Sequence, residues 1–138
     1  MLGMSGPEQI RRGASAGVRY GLLAFGAGAV SGLLRELLLA PAVGGLPAAL
    51  AEGVVLAVLI PVFARSVLDR MPPRQGWQTR VAVAVAGLLV VVAAEVALAL
   101  VLQASGIDAA RVPRSAPERA VGPVLLLWLA AAPLLLRR

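Results

Sequence analysis

Cysteine, histidine and lysine are absent from the 138-residue chain. Without Cys or His there is no disulfide, no zinc or haem ligation through these side chains, and no imidazole acid-base chemistry. Charge is scarce as well: 14% of residues are charged, against roughly 25% in soluble domains. With 59% hydrophobic residues and a mean hydropathy of +0.87, water is not the main solvent expected for this chain. The composition predicts a non-enzymatic integral membrane protein with no cofactor and no metal.

The 13 basic residues are all arginine and face only 7 acidic ones, giving a pI near 11.7. They flank apolar runs instead of forming a continuous stripe, so they read as topology signals and not as a nucleic-acid surface. Arginine without lysine, in a chain rich in Ala, Val, Leu, Gly and Pro, points to a GC-rich bacterial genome.

Four apolar segments are separable, at about 18–40, 47–67, 81–102 and 120–136, the last extended to a helix over about 116–136 by its cap. A hydrocarbon core about 30 Å thick takes about 20 helical residues. The first three segments fit that length, and the fourth gains its length from a cap. Ser115-Ala116-Pro117-Glu118 has the capping-box spacing, with Pro in the first turn where its missing N–H costs little. Ser5-Gly6-Pro7-Glu8 repeats it and predicts a short N-terminal interfacial helix carrying Arg11 and Arg12. The expected fold is all-α: a polytopic membrane protein with four transmembrane helices in a small up-down bundle, forming a single membrane domain over residues 1–138.

The stretch Pro41 to Leu46 holds Pro and Gly and no charge, which predicts a tight hairpin, and Asp69 to Gln78 reads as a polar loop. Gln103 to Ser115 is the longest loop, and its role is open. Nine arginines fall on one side of a four-span arrangement: Arg11, Arg12, Arg19, Arg65, Arg70, Arg74, Arg80, Arg137 and Arg138. Three (Arg111, Arg114 and Arg119) fall on the other, and Arg35 lies within the first segment. That asymmetry predicts a multi-pass protein of the bacterial inner membrane with both termini cytoplasmic. Tyr20 and Trp77 then fall at the level of a cytoplasmic aromatic belt. Ala40-Pro41-Ala42 resembles a signal-peptide cleavage site, but Arg35-Glu36 interrupts the apolar run before it, so the segment is expected to stay as a span.

Gly17, Gly21, Ala24, Gly28, Gly32 and Arg35 lie within about 40° of one direction on the first helix. Small residues at four-residue spacing let membrane helices approach backbone to backbone, so this face predicts a tight helix-packing interface with this chain or another. In a chain so rich in Gly and Ala some alignment arises by composition. Arg35 on the same face favours a protein neighbour, because an intramembrane Arg must point at protein or water.

Four ionisable groups fall inside the spans: Arg35, Glu36, Glu52 and Glu95. Because the chain reverses at each loop, all four come out in the same, non-cytoplasmic half. Arg35 and Glu52 stand at similar distances on either side of the hairpin, which predicts an ion pair between them, and Glu95 can join from the third helix. Each charge alone costs roughly 2.5–3.5 kcal/mol at a helix centre on insertion scales, so pairing is expected. With three carboxylates against one guanidinium, at least one carboxylate is left to water, to another protein or to a proton. The cluster reads either as a proton- or cation-linked site or as a structural clamp. Arg65 and Asp69 have the spacing of a helical surface pair. Pro61, Pro123 and Pro133 kink their helices or leave carbonyls free. Trp128 falls in mid-span, as a partner contact or as filler.

Ala94-Glu95-Val96 is similar to the membrane-glutamate context of small multidrug-resistance transporters, but it falls on the third helix, not the first, and that family's aromatic residues are missing. Gly28 through Gly32 to Arg35 resembles the Gly-rich first helix of fluoride channels, but the spacing differs by one and that family's later motifs are absent. Gly32-Leu33-Leu34-Arg35, the Pro-containing hairpin, Glu52, Arg65 and Glu95 together resemble uncharacterised small four-helix bacterial integral membrane proteins over roughly residues 20–100. That resemblance implies the topology and no activity.

The expected function is an accessory or assembly subunit that packs against lipid and against helices of its own oligomer or of a larger membrane complex. The alternative is a small oligomeric transporter or channel that uses Glu52 and Glu95 for proton or ion coupling. Paired, dry charges would mark the first, and a carboxylate-lined cavity the second.

Overall fold

The computed structural model describes residues 6–71, 76–106 and 116–136, with the backbone alone at 116 and 118. Every long element among them is helical: α1 (Gly6–Leu34), a π-helical turn (Arg35–Leu39), α2 (Ala40–Val43), α3 (Gly45–Asp69), α4 (Trp77–Ser105) and α5 (Ala116–Leu135). Ser5 and Ser115, the proposed caps, and Arg74, Arg111, Arg114, Arg137 and Arg138 lie outside the described residues, as does most of the 103–115 loop. Three helical segments, Gly6–Val43, α3 and α4, are long and apolar enough to cross a membrane, and Arg119–Leu135 is a shorter apolar helix.

One local expectation is corrected and another is narrowed. The N-terminal interfacial helix is not a separate element, since α1 runs unbroken from Gly6 to Leu34. The physical reason is Gly13, which extends the small face of α1 one turn towards the N-terminus. A Cβ at Gly13 would stand 2.6 Å from both Ala82 Cβ and the Thr79 carbonyl oxygen, so α1 stays on α4 where it was expected to break away. The hairpin expected over Pro41 to Leu46 is present but tighter than that stretch. The helix continues through Pro41 to Val43, and Gly44 is the only non-helical residue before α3.

Pro41 is accommodated by the turn that precedes it. A helical proline lacks the N–H for the carbonyl four residues back and its ring crowds that carbonyl. Just before Pro41 the helix widens, so that the Ala40 N–H reaches five residues back to the Arg35 carbonyl. The reversal then falls on Gly44 at φ 92°, ψ 164°, a conformation essentially reserved for glycine. Gly44 N–H donates to Ala40 O at 3.0 Å and Ala48 N–H to Gly44 O at 3.2 Å, so both helix ends remain hydrogen-bonded through the turn.

The long helices form a ring in the order α1, α4, α5, α3, each packed on two neighbours. α1 and α4 run parallel and make the most extensive seam. A Cβ at Gly17 would lie 2.6 Å from Ala86 Cβ and 2.7 Å from Val83 O, and one at Gly21 would lie 2.8 Å from Gly87 O. Backbones that close gain dispersion contacts without a large side chain, the form of packing available to apolar helices among apolar surroundings. Tyr20 is fully buried and reaches across the ring to α5, and with Leu56, Ile60, Val83, Val91 and Leu129 it forms the narrow core. The exterior is apolar over most of its length, with Leu33, Val54, Val58, Leu89, Leu100 and Leu127 all more than half exposed.

Candidate functional site: a charged cavity at the far end of the bundle

α1 and α4 part above the Gly21 level. A Cβ at Gly28 would meet nothing within 4 Å, so at this level the expected packing face has no neighbour among the described residues of the chain. Gly28 instead lines a cavity of about 210 Å³ that draws on every long helix, with Arg35 from the π turn, Glu52 from α3, Glu95 from α4, and Val121 and Leu126 from α5. Ala24 and Gly32 complete the fate of the small face. Ala24 lies in the cavity wall, and a Cβ on Gly32 would stand 3.6 Å from Glu52 Oε1. The near half of the face (Gly17, Gly21) is spent on contact with α4, and the far half makes room for a carboxylate.

Within this site Arg35 Nη1 lies 2.9 Å from Glu52 Oε2 and Arg35 Nη2 lies 3.3 Å from Glu36 Oε1. The Arg35 side chain is 9% exposed, Glu52 12% and Glu36 37%, so the guanidinium and Glu52 are shielded and Glu36 sits on the outer side. Glu95 contributes to the cavity wall from the opposite side. Counted as ionised, the three charges in the wall sum to one net negative charge, with Arg35 already held by two carboxylates. The rest of the wall is apolar, including Phe25, Leu56 and Ile60, so a field set by these charges is screened less than in water. Among the described residues no group of three Asp or Glu has the geometry to hold a metal ion.

Below the cavity two aromatic side chains, Tyr20 and Trp128, make hydrogen bonds between helices. Tyr20 is not at a helix-end belt, because its hydroxyl donates to the Leu129 carbonyl at 2.6 Å from within the core. Trp128 Nε1–H donates to the Ala57 carbonyl at 2.8 Å. Both acceptors stand four residues before a proline, Leu129 before Pro133 and Ala57 before Pro61. Each therefore lacks the N–H that would close its helical turn. An aromatic donor from another helix supplies the missing bond in each case, tying α1 to α5 and α5 to α3. Arg80 adds a third tie at the near end, donating to the Leu136 carbonyl at 3.2 Å where α5 runs out of intrahelical donors.

No protein-family model, curated protein or solved structure matches this chain. The functional reading therefore rests on the cavity and its charges.

Proposed function

We propose that this chain is a non-enzymatic multi-pass membrane protein of a bacterial inner membrane, with four spans, both termini cytoplasmic and the charged cavity in the outer half. Three apolar helices of spanning length and a largely apolar exterior support the membrane setting. Arg11, Arg12, Arg19, Arg65, Arg70 and Arg80 gather towards one end of the bundle, in keeping with that orientation. Of the two function classes, a small transporter or channel acting on protons or a small cation is the one the geometry supports best. The observation that carries it is the cavity shared by Arg35, Glu52 and Glu95. Glu52 is held against Arg35, while Glu95 faces the same space from α4, free of a covalent or helical link to that pair. A carboxylate so placed is the group to exchange a proton or meet a cation.

The assembly-subunit reading is favoured by one separate observation. The Glu36 side chain, whose Oε1 lies 3.3 Å from Arg35 Nη2, is also 37% exposed, so a charged group already paired within the chain is presented at the bundle surface, where a neighbouring helix could reach it. Of the small-residue face of α1, the near half is covered by α4, while Gly28 in the far half meets nothing within 4 Å.

The test is flux. The purified full chain, reconstituted in vesicles, is assayed for proton and monovalent-cation movement, with Glu95→Gln as the diagnostic variant. Flux in the wild type that is lost in E95Q is expected. A folded protein that shows no flux and copurifies with a larger membrane partner would replace the transporter reading with the subunit one.

A further inference from the structure

A second feature lies at the opposite end of the bundle from the cavity, in the groove between α1 and α3. The part of its wall nearest the bundle end carries Arg19 and Arg70, both exposed, with Ser66 one turn from Arg70 on α3, and the part towards the cavity is made of Leu22, Leu23, Val62 and Phe63. No acidic side chain lines it, and Asp69, next to Arg70 in the chain, is not part of the wall. Neither arginine has an ion pair with a described residue. The groove is open along its outer side and has a volume of about 530 Å³.

Resting on the reading that the chain spans a membrane, we infer that this groove binds an anionic phospholipid, its phosphodiester between Arg19 and Arg70 and an acyl chain along Leu22, Leu23, Val62 and Phe63. Charge complementarity commits the site to an anionic headgroup. Two arginines and a serine line one end of a groove whose other end is apolar, and a guanidinium fork matches phosphate oxygens in pairs. The order of polar and apolar walls follows the order of headgroup and tail in a lipid of the leaflet nearest the chain termini. A soluble phosphate or phosphorylated metabolite would use the arginines and leave the apolar end empty. Paired basic residues between helices on the cytoplasmic side are a general way for anionic lipids to be held.

The experiment uses the full chain in mild detergent, with bound lipid counted by native mass spectrometry and affinity measured for phosphatidylglycerol and for phosphatidylcholine of the same chains. Phosphatidylglycerol is expected to bind in about one copy, and the double variant Arg19→Gln, Arg70→Gln to bind it roughly 30-fold more weakly, as two lost surface attractions imply. The double variant Arg11→Gln, Arg12→Gln removes the same charge from outside the groove and is expected to leave that copy in place. Equal weakening in both double variants would overturn the site in favour of diffuse attraction. Equal binding of phosphatidylcholine would overturn it too, as would inorganic phosphate competing as well as lipid. The single variants R19Q and R70Q alter exposed side chains and keep the test available should the double variant unfold. Failure of the membrane reading is separately visible, as release of the wild-type chain from membranes by alkaline carbonate.

Discussion

Replacing Trp128 with Phe removes the one donor that the Ala57 carbonyl has gained from outside its own helix. In an ordinary helix the loss would be small, because the N–H four residues on would still be there. Here that residue is Pro61, so Trp128→Phe strands a carbonyl among apolar groups. Hydrogen bonds between membrane helices are worth about 0.6 kcal/mol on average and up to about 1.7. A bond of 2.8 Å to an acceptor with no alternative donor belongs towards the upper part of that range. The perturbation also removes ring packing, so the single variant alone does not isolate the bond. Pro61→Ala supplies the missing N–H, and in that background the Ala57 carbonyl closes its own turn. The packing loss of Trp128→Phe is common to both backgrounds and cancels in the double-mutant cycle. The expected result is a coupling of about 1–1.7 kcal/mol, measured as unfolding free energy by denaturant titration in mixed micelles. If Trp128→Phe costs the same in the Pro61→Ala background as in the native one, the indole is not standing in for the proline's absent N–H and the reasoning fails.

The same logic applies to Tyr20→Phe, whose cost is expected to shrink when Pro133 is replaced by Ala, since the Leu129 carbonyl then regains a helical donor; the same titration reads it. Gly17→Ala is expected to destabilise by about 1–3 kcal/mol through overpacking against Ala86 and Val83. Gly28→Ala, which faces open space, is expected to stay within about 0.5 kcal/mol of wild type, and thermal unfolding of the pair in one detergent separates them. Glu52→Gln leaves the shielded Arg35 without its closest partner and is expected to cost about 3–5 kcal/mol, with Arg35→Gln in the same chain recovering part of the loss. Gly44→Ala forces a side chain into a glycine backbone conformation and is expected to cost about 1–3 kcal/mol, read as a lowered unfolding midpoint.

What could be read from the sequence depended on whether one helix or two were needed to see it. The level of Arg35 and Glu52 follows from their symmetric distances to the chain reversal, so their pairing was accessible from numbering alone. The Gly17 and Gly21 face was accessible from periodicity within a single helix. Its partner was not, because Gly87 and Ala86 sit in a run so apolar that no face stands out, and Gly28 looked equivalent to Gly21 although α4 has already diverged there. Tyr20 followed Arg19 at the edge of an apolar run and so resembled an interfacial residue. Only the bundle shows that the ring of α1, α4, α5 and α3 encloses it. The bond from Trp128 to Ala57 joins residues 71 apart, and the link between the aromatic donors and Pro61 and Pro133 exists only once the helices are paired. The π turn at Arg35–Leu39 carries no residue signature of its own beyond Pro41, which by itself argues for a helix end.

The most direct test of a wet, charged cavity exploits the absence of native cysteine. Single cysteines placed by Glu95→Cys and Gly28→Cys in the cavity wall, and by Leu89→Cys on the apolar exterior, are treated in membrane vesicles with a small, charged, membrane-impermeant thiol reagent. Labelling at positions 95 and 28, with position 89 unreactive, is the expected result and would mean that water reaches the carboxylates from one side of the membrane. No labelling at either cavity position, in protein that still folds, would mean that the charges are sealed and dry, and would contradict the transport reading in favour of a structural clamp.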